Sequence, residues 1–317
     1  MAVVLTTSCH LATAHPDGEK TVFSSAQDYI EAFRQGKRDY DFMSLPGLMI
    51  GNQPDPQAMK ALGEELTTGT EDVREKIVDL LIAVGRLNHL EYELRTPEVI
   101  DLLIGAGFSK ADTARSNAMD ALFEYAAPAV LAGYGDAITK ALEEKPGESA
   151  LKLVAKAKPP QAWKEVDRLS RLPEWSLPNT STKATMLMTR AALGDTETED
   201  KFIDWAAREE AAGNADGLVD ALFMLARIGT PRSLQAVCER MRTPLIVDRG
   251  SHQKSVRLDV MNALRHAFPG HLELDPSNVT EDADYERAEW FCIQTIGVRF
   301  GNVPRPEFFT SKNILLE

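Results

Sequence analysis

A chain of 317 residues that is 44% hydrophobic and 26% charged can bury a sizeable core and has the balance of an ordinary folded protein, which excludes a disordered or fibrous class. Its 48 acidic residues against 35 basic ones leave a net charge of -13, which repels phosphate backbones, so nucleic acid is not an expected partner. No run of about 18 uncharged apolar residues occurs, so no transmembrane helix is expected. Ala, Leu and Glu are plentiful and no alternating Thr/Val/Ile runs occur, which favours helix over strand.

The N-terminal segment MAVVLTTSCHLATAHPDGEK, residues 1–20, opens on five apolar residues, then small residues run into Cys9, and a polar tract follows. The run LTTSC resembles the end of a bacterial lipoprotein signal, in which the cysteine is lipidated, although no Lys or Arg precedes it and the apolar run is short. Two readings stay open. One is a truncated leader whose start lies upstream of Met1, with Cys9 as the lipidation site, a membrane reached only through that anchor, and a periplasmic or envelope location. The other is an ordinary flexible N-terminus on a cytoplasmic protein. The three cysteines follow the same division: lipidation of Cys9 leaves Cys238 and Cys292 as a candidate pair, and otherwise all three are free thiols.

Residues 21–317 are expected to form a single domain, with capping segments at 21–54 and 271–317. In SSAQDYIEAFRQG, Ser25 is a helix cap and Tyr29, Ile30 and Phe33 lie on one apolar face. The turn-rich LPGLMIGNQPDP follows. PDPQAMKALGEELTTG then predicts a short helix with Met59, Leu62 and Leu66 on one side, ended by Gly69. TEDVREKIVDLLIAVG places Val73, Ile77, Leu80, Leu81 and Val84 on one stripe, with Thr70 as cap, Glu71 and Asp72 in the first turn, and Gly85 where a stop is expected. Together these two make a helical hairpin.

The pattern returns along the chain. PEVIDLLIGAGFSKADTARSNAMDALFEYA repeats it, with Ala114-Arg115 standing 41 residues after Val73-Arg74. ITKALEEKPGESALKLVAKA and WKEVDRLSRLPEWSLPNTSTKATMLMTRAALG fit as two degenerate units. GLVDALFMLARIG aligns Gly229 with Gly85 at an offset of 144, and TPRSLQAVCERM starts a further pair on a proline. HQKSVRLDVMNALRHAF restores the Val-Arg pair at Val256-Arg257, an offset of 183 from Val73. DADYERAEWFCIQTIGVRF gives one last helix, with Trp290, Phe291, Ile293 and Ile296 expected to be buried, and GNVPRPEFFTSKNILLE an extended tail.

Units near 40 residues long that carry TEDVREKIVDLLIAVG, LARIGTPRSLQAV and SVRLDVMNALRHAF resemble HEAT-repeat proteins of the armadillo-like class over residues 55–270. The resemblance implies an all-α, right-handed α-solenoid of HEAT-like helical hairpins with atypical N- and C-terminal capping segments. Each hairpin has too small a core to stand alone, so neighbours stack. It also implies a polar ladder along the stack that pairs Asp72 with Arg74 and Asp112 with Arg115, and gives Arg257 an unnamed acceptor. In such solenoids the second helices line the concave face. Opposite the buried stripe, the first unit presents Lys76, Asp79 and Ala83. The offsets carry these to Asn117, Asp120 and Glu124, to Asp220, Phe223 and Arg227, and to Asp259, Asn262 and His266. Five of these twelve are acidic and two are Lys or Arg, which points to a protein partner with basic groups.

Motifs for chemistry are thin. GYGD at 133–136 lacks the strand and third glycine of a dinucleotide loop and reads as an interhelical turn. No GxSxG, P-loop, HExxH or CxxC occurs, and His252, His266 and His271 lack a ligand spacing. Trp163, Trp175, Trp205 and Trp290 read as gap-fillers in degenerate repeats. No catalytic, cofactor-binding or metal residue is therefore expected. The leading expectation is a non-catalytic protein-binding scaffold, in one specific form a bacterial immunity, inhibitor or adaptor protein. The rivals are an enzyme, lyase or hydrolase, with a site at residues 160–210, and a structural envelope lipoprotein.

Overall fold

Helices begin where the sequence supplies a capping side chain. In α1 (Ala26–Arg34), Ser25 Oγ accepts the Asp28 N–H while the Asp28 carboxylate accepts the Ser25 N–H, a reciprocal box. Asp55 caps α2 (Pro56–Thr68), which is followed at once by α3 (Glu71–Arg86). Then come α4 (Pro97–Gly105), α5 (Thr113–Tyr125), capped by Asp112, and the short α6 (Pro128–Ala132). The middle holds α7 (Gly135–Glu144), α8 (Glu148–Ala157), α9 (Trp163–Ser170), α10 (Pro173–Ser176) and α11 (Ser181–Ala192). Asp195, Asn214, Thr230 and Ser255 cap α12 (Thr196–Ala211), α13 (Ala215–Ile228), α14 (Pro231–Glu239) and α15 (Val256–Ala267). The last helix, α16 (Glu281–Phe291), runs into a π turn at Cys292–Ile296.

This computed structural model describes residues 23–300 apart from 38–44, 52, 87–93, 95, 178–179, 249–252, 269–270 and 275–280. Cys9 and the leader reading, His10, His15, His89, His252 and the tail after residue 300 lie outside the described residues. Within them the protein is mainly α-helical, with two short antiparallel hairpins. One pairs β1 (Met49–Ile50) with β2 (Gln53–Pro54). The other pairs β3 (Ile246–Asp248) with β4 (Gln253–Ser255), Val247 opposite Lys254. No described helix is long and apolar enough to cross a membrane.

Helices pack as successive pairs: α2 with α3, α4 with α5, α7 with α8, α9 with α11, α12 with α13 and α14 with α15. The second member of each pair also packs on the second member of the next, so that α3, α5, α8, α11, α13 and α15 form a continuous row. The expected buried residues Val73, Ile77, Leu80, Leu81 and Val84 are all in the core. Two apolar clusters fill the interior and meet at α8 and α11: Leu151 and Met186 belong to one, Ala155 and Met188 to the other. The poorly patterned units α7–α8 and α9–α11 pair as the others do. Nothing in the pattern announced α12, because its buried positions are Thr198, Glu199, Phe202 and Ala206, with one large apolar residue among them.

Several expectations are corrected in detail. Gly85 does not stop α3, which continues to Arg86; a Cβ there would lie 2.2 Å from Leu94 Cδ1, so the glycine permits close approach. Gly229 does close its helix, with φ of 60°. The polar ladder exists, but it joins successive units. Asp72 pairs with Lys76 at 2.6 Å, and Arg74 instead reaches Asp112 of the next unit at 2.7 Å. Arg115 meets Glu144 at 3.3 Å, and Arg257 meets Glu289 at 3.4 Å, the acceptor that was missing. Of the last helix and its π turn, Phe291 is buried, whereas Trp290, Ile293 and Ile296 are half-buried.

Arg74 is completely buried, and its guanidinium also donates to the Leu66 and Gly107 carbonyls and to Ser109 Oγ. Arg74→Leu leaves Asp112 without its buried counterion and should cost about 3–5 kcal/mol in urea unfolding. Cys238 of α14 forms a disulfide with Cys292 of the π turn, across a sequence separation of 54 residues. Its replacement, Cys238→Ser with Cys292→Ser, should lower stability by about 2–4 kcal/mol, and reductant should then leave the melting temperature of the variant unchanged.

Candidate functional site

The positions expected on the open side of the row divide by their surroundings. Lys76 and Asp259 are buried rather than outward-facing, because each is held in an ion pair. Lys76 Nζ donates to Asp72 at 2.6 Å and to the Phe33 carbonyl at 3.3 Å, and Lys254 Nζ donates to Asp259 at 2.5 Å. Asp79 and Asp220 are exposed. Asp120 is half-buried, accepts the Ser149 hydroxyl at 2.8 Å and lies 3.8 Å from Lys152. Ala83, Asn117 and Asn262 are half-buried between these.

The other four, Glu124, Phe223, Arg227 and His266, come together although they derive from three units of the chain. His266 Nδ1 lies 3.6 Å from the Glu124 carboxylate, and its ring meets Phe223 edge-on at 5.5 Å. The Arg227 guanidinium stands 5.7 Å from the Phe123 ring centre. Beside them is a cavity of about 350 Å³, in the range of small-ligand sites. Phe123, Phe268, Leu234, Ala157 and Ala226 supply its apolar wall, and Lys156, Lys158, Arg227 and His266 its charged or titratable groups. The expected groove is acidic; this cavity is lined by bases.

Helix geometry accounts for the lysines. The cavity lies where α5, α8, α13 and α15 end, and helix C-termini carry partial negative charge and unpaired carbonyls. Lys156 Nζ donates to the Phe123 carbonyl near the end of α5 and lies 5.6 Å from that ring centre. Lys158, in the left-handed conformation at φ of 51°, closes α8 and donates to the Gly229 carbonyl at 2.6 Å, tying α8 to the end of α13. The sequence does mark both, as bases at a helix end before Pro159-Pro160, but that pattern is a generic stop signal and does not say which neighbouring helix ends they meet.

Burial lowers the Lys158 pKa, with Glu199 opposing. His266 is likewise held below the ordinary imidazole range, first by burial and then by the nearby Arg227, Lys156 and Arg265 charges, with Glu124 opposing. A histidine depressed in the folded state contributes its full stability above the ordinary value near 6.5, and loses it as pH falls toward the folded pKa. Perturbed groups in a concave site mark a functional candidate.

In residues 160–210, Arg190 bonds Asp195 and Ser170, both at 2.8 Å, beside the Trp163 ring. No group of three or more His, Cys, Asp or Glu able to hold a metal occurs among the described residues. In GYGD, Gly133 and Tyr134 link α6 to α7 and Gly135-Asp136 opens α7; Tyr134 donates to Asp101 at 2.5 Å and its phenol pKa rises to about 12. Of the tryptophans, Trp175 is buried, Trp205 donates to Glu209 at 3.0 Å, and Trp163 is exposed.

NMR titration of the imidazole C–H signals, with His266→Asn for assignment, should place His266 below the ordinary imidazole value near 6.5. Glu124→Gln should lower it further, and Arg227→Met should raise it; the reverse pair of shifts would overturn the electrostatic picture. No family model, curated protein or solved structure matches the chain.

Proposed function

We propose that the protein is a HEAT-like α-solenoid scaffold, non-catalytic, that binds a protein partner through the concave face formed by its second helices. The observation that carries this reading is the unbroken packing of α3, α5, α8, α11, α13 and α15 side by side, with further helices packed against them. A row of this kind offers an extended surface rather than a single deep site. The exposed Asp79 and Asp220 and the half-buried Asp120 lie on that row in an acidic protein, and they suit a partner with basic groups. Inhibition of a toxin or enzyme, as an immunity or adaptor protein does it, is the specific form this reading takes.

The Cys238–Cys292 disulfide favours an envelope or periplasmic setting, since such bonds persist in oxidising compartments. That setting agrees with the lipoprotein-like run before Cys9 and extends the reading to a tethered scaffold.

Affinity capture from the source cells, followed by mass spectrometry, tests the face. The triple variant Asp79→Lys, Asp120→Lys, Asp220→Lys should lose at least about tenfold of any partner held specifically by the wild type. Undiminished capture by a folded triple variant would remove the acidic face as the docking surface.

A further inference from the structure

Several buried or half-buried arginines among the described residues have a carboxylate partner. Arg74 meets Asp112, Arg115 meets Glu144, Arg240 meets Glu210 at 3.2 Å, and Arg287 meets Asp284. Arg227 departs from that pattern. Its Nε is buried without a hydrogen-bond partner, as are those of Arg240 and Arg287, but unlike them it forms no ion pair with the described residues; its guanidinium lies by the Phe123 ring. A buried guanidinium nitrogen left without an acceptor costs on the order of 1–3 kcal/mol, a penalty that a bound anion relieves. The same residue borders the cavity at the ends of α5, α8, α13 and α15, together with Lys156 and Lys158. Each lysine donates to a helix-end carbonyl and carries its charge beside the cavity.

We propose that this cavity binds a carboxylate carried on an apolar or aromatic body, with the Arg227 guanidinium as its principal counterion and the Lys156 and Lys158 ammonium charges beside it. The charge balance favours a single negative charge. Three cations face the cavity, but four helix C-termini and the Glu124 carboxylate at its edge offset most of them. The walls favour an apolar body, because Phe123, Phe268, Leu234, Ala157 and Ala226 can cover one and inorganic phosphate would leave them wet. A planar carboxylate also suits the fork of a guanidinium. The groups around His266 sharpen this: Glu124 of α5, Lys156 and Lys158 of α8, Arg227 of α13 and Arg265 of its own helix. An added anion there raises the pKa of His266, so binding and His266 protonation favour each other. The pocket does not depend on the scaffold reading and is tested without a protein partner.

Two sources present such a carboxylate, a free organic acid and the C-terminus of a chain, and calorimetry on the full protein separates them. The probes are 3-phenylpropanoate against neutral 3-phenylpropanamide, the peptide Ala-Ala-Phe against its C-terminal amide, and inorganic phosphate. At least one free carboxylate should bind one to one, at least about tenfold more tightly than its amide. It should also raise the NMR-measured pKa of His266. Binding of phenylpropanoate identifies a free acid as sufficient; binding confined to the peptide identifies a chain terminus. Arg227→Met should lose about tenfold or more in affinity while its circular-dichroism melt stays close to that of the wild type, and Arg227→Lys should recover part of the loss. If Arg227→Met proves unfolded, Ala267→Leu, which fills the cavity and leaves every cation in place, should abolish binding instead. The proposal is overturned if acid and amide bind alike, if phosphate binds more tightly than either carboxylate, if neither carboxylate binds at millimolar concentration, or if a folded Arg227→Met or Ala267→Leu protein binds as the wild type does.

Discussion

Everything in the N-terminal half hangs on where Arg74 sends its charge. Its guanidinium is fully buried, so water cannot solvate it, and the next unit supplies the acceptors instead: Asp112, Ser109 and the Gly107 carbonyl. One side chain thereby fixes the distance between α3 and the turn before α5. Asp112 answers a second need in the same place by capping α5 through the Arg115 N–H at 3.1 Å. Arg115 then carries the device onward to Glu144 and the Ala141 carbonyl, at the end of α7. A short hairpin cannot bury its own core, and the arginines force each one to be completed by its neighbour.

The C-terminal end uses other means for the same task. Glu289 of α16 accepts from Arg242 at 2.8 Å and faces Arg257 at 3.4 Å, so α15, α16 and the turn that follows α14 share one buried carboxylate. The disulfide between Cys238 and Cys292 fixes the same three-helix end covalently. An end of the row has a neighbour on one side only, so it has less apolar area to bury and gains most from such crosslinks.

The cavity follows from this packing rather than from any local motif. When α5, α8, α13 and α15 end near one another, their terminal carbonyls gather at one place and require donors. Lys156 and Lys158 supply donors; Arg227 sits on the same rim with a buried nitrogen and no acceptor. A site made of helix ends thus comes to hold bases within a protein of net charge -13. Global charge and local charge answer to different constraints here, solvation of the whole surface in one case and satisfaction of a few carbonyls in the other.

The sequence by itself marked the helices that carry a clear apolar stripe, though not α12, and the face those helices bury. Ser25, Asp55 and Thr230 begin helices because a short polar side chain must meet the free N–H groups, and the stripe from Val73 to Val84 is buried because helical periodicity puts it on one side. Repeat offsets picked out Glu124, Phe223, Arg227 and His266 as separate positions of a docking face; that they meet is visible only in the packed structure. Tertiary structure decided the rest. Lys76 and Asp259 turn inward to charged partners, Gly85 serves close approach to Leu94, and Arg74 pairs with the following unit. Lys156 and Lys158 belong to the cavity because of which helix ends meet there. Periodicity is a property of one helix, and sequence spacing records it. Which charge finds which acceptor is a property of two helices in contact, and that is settled only when they pack.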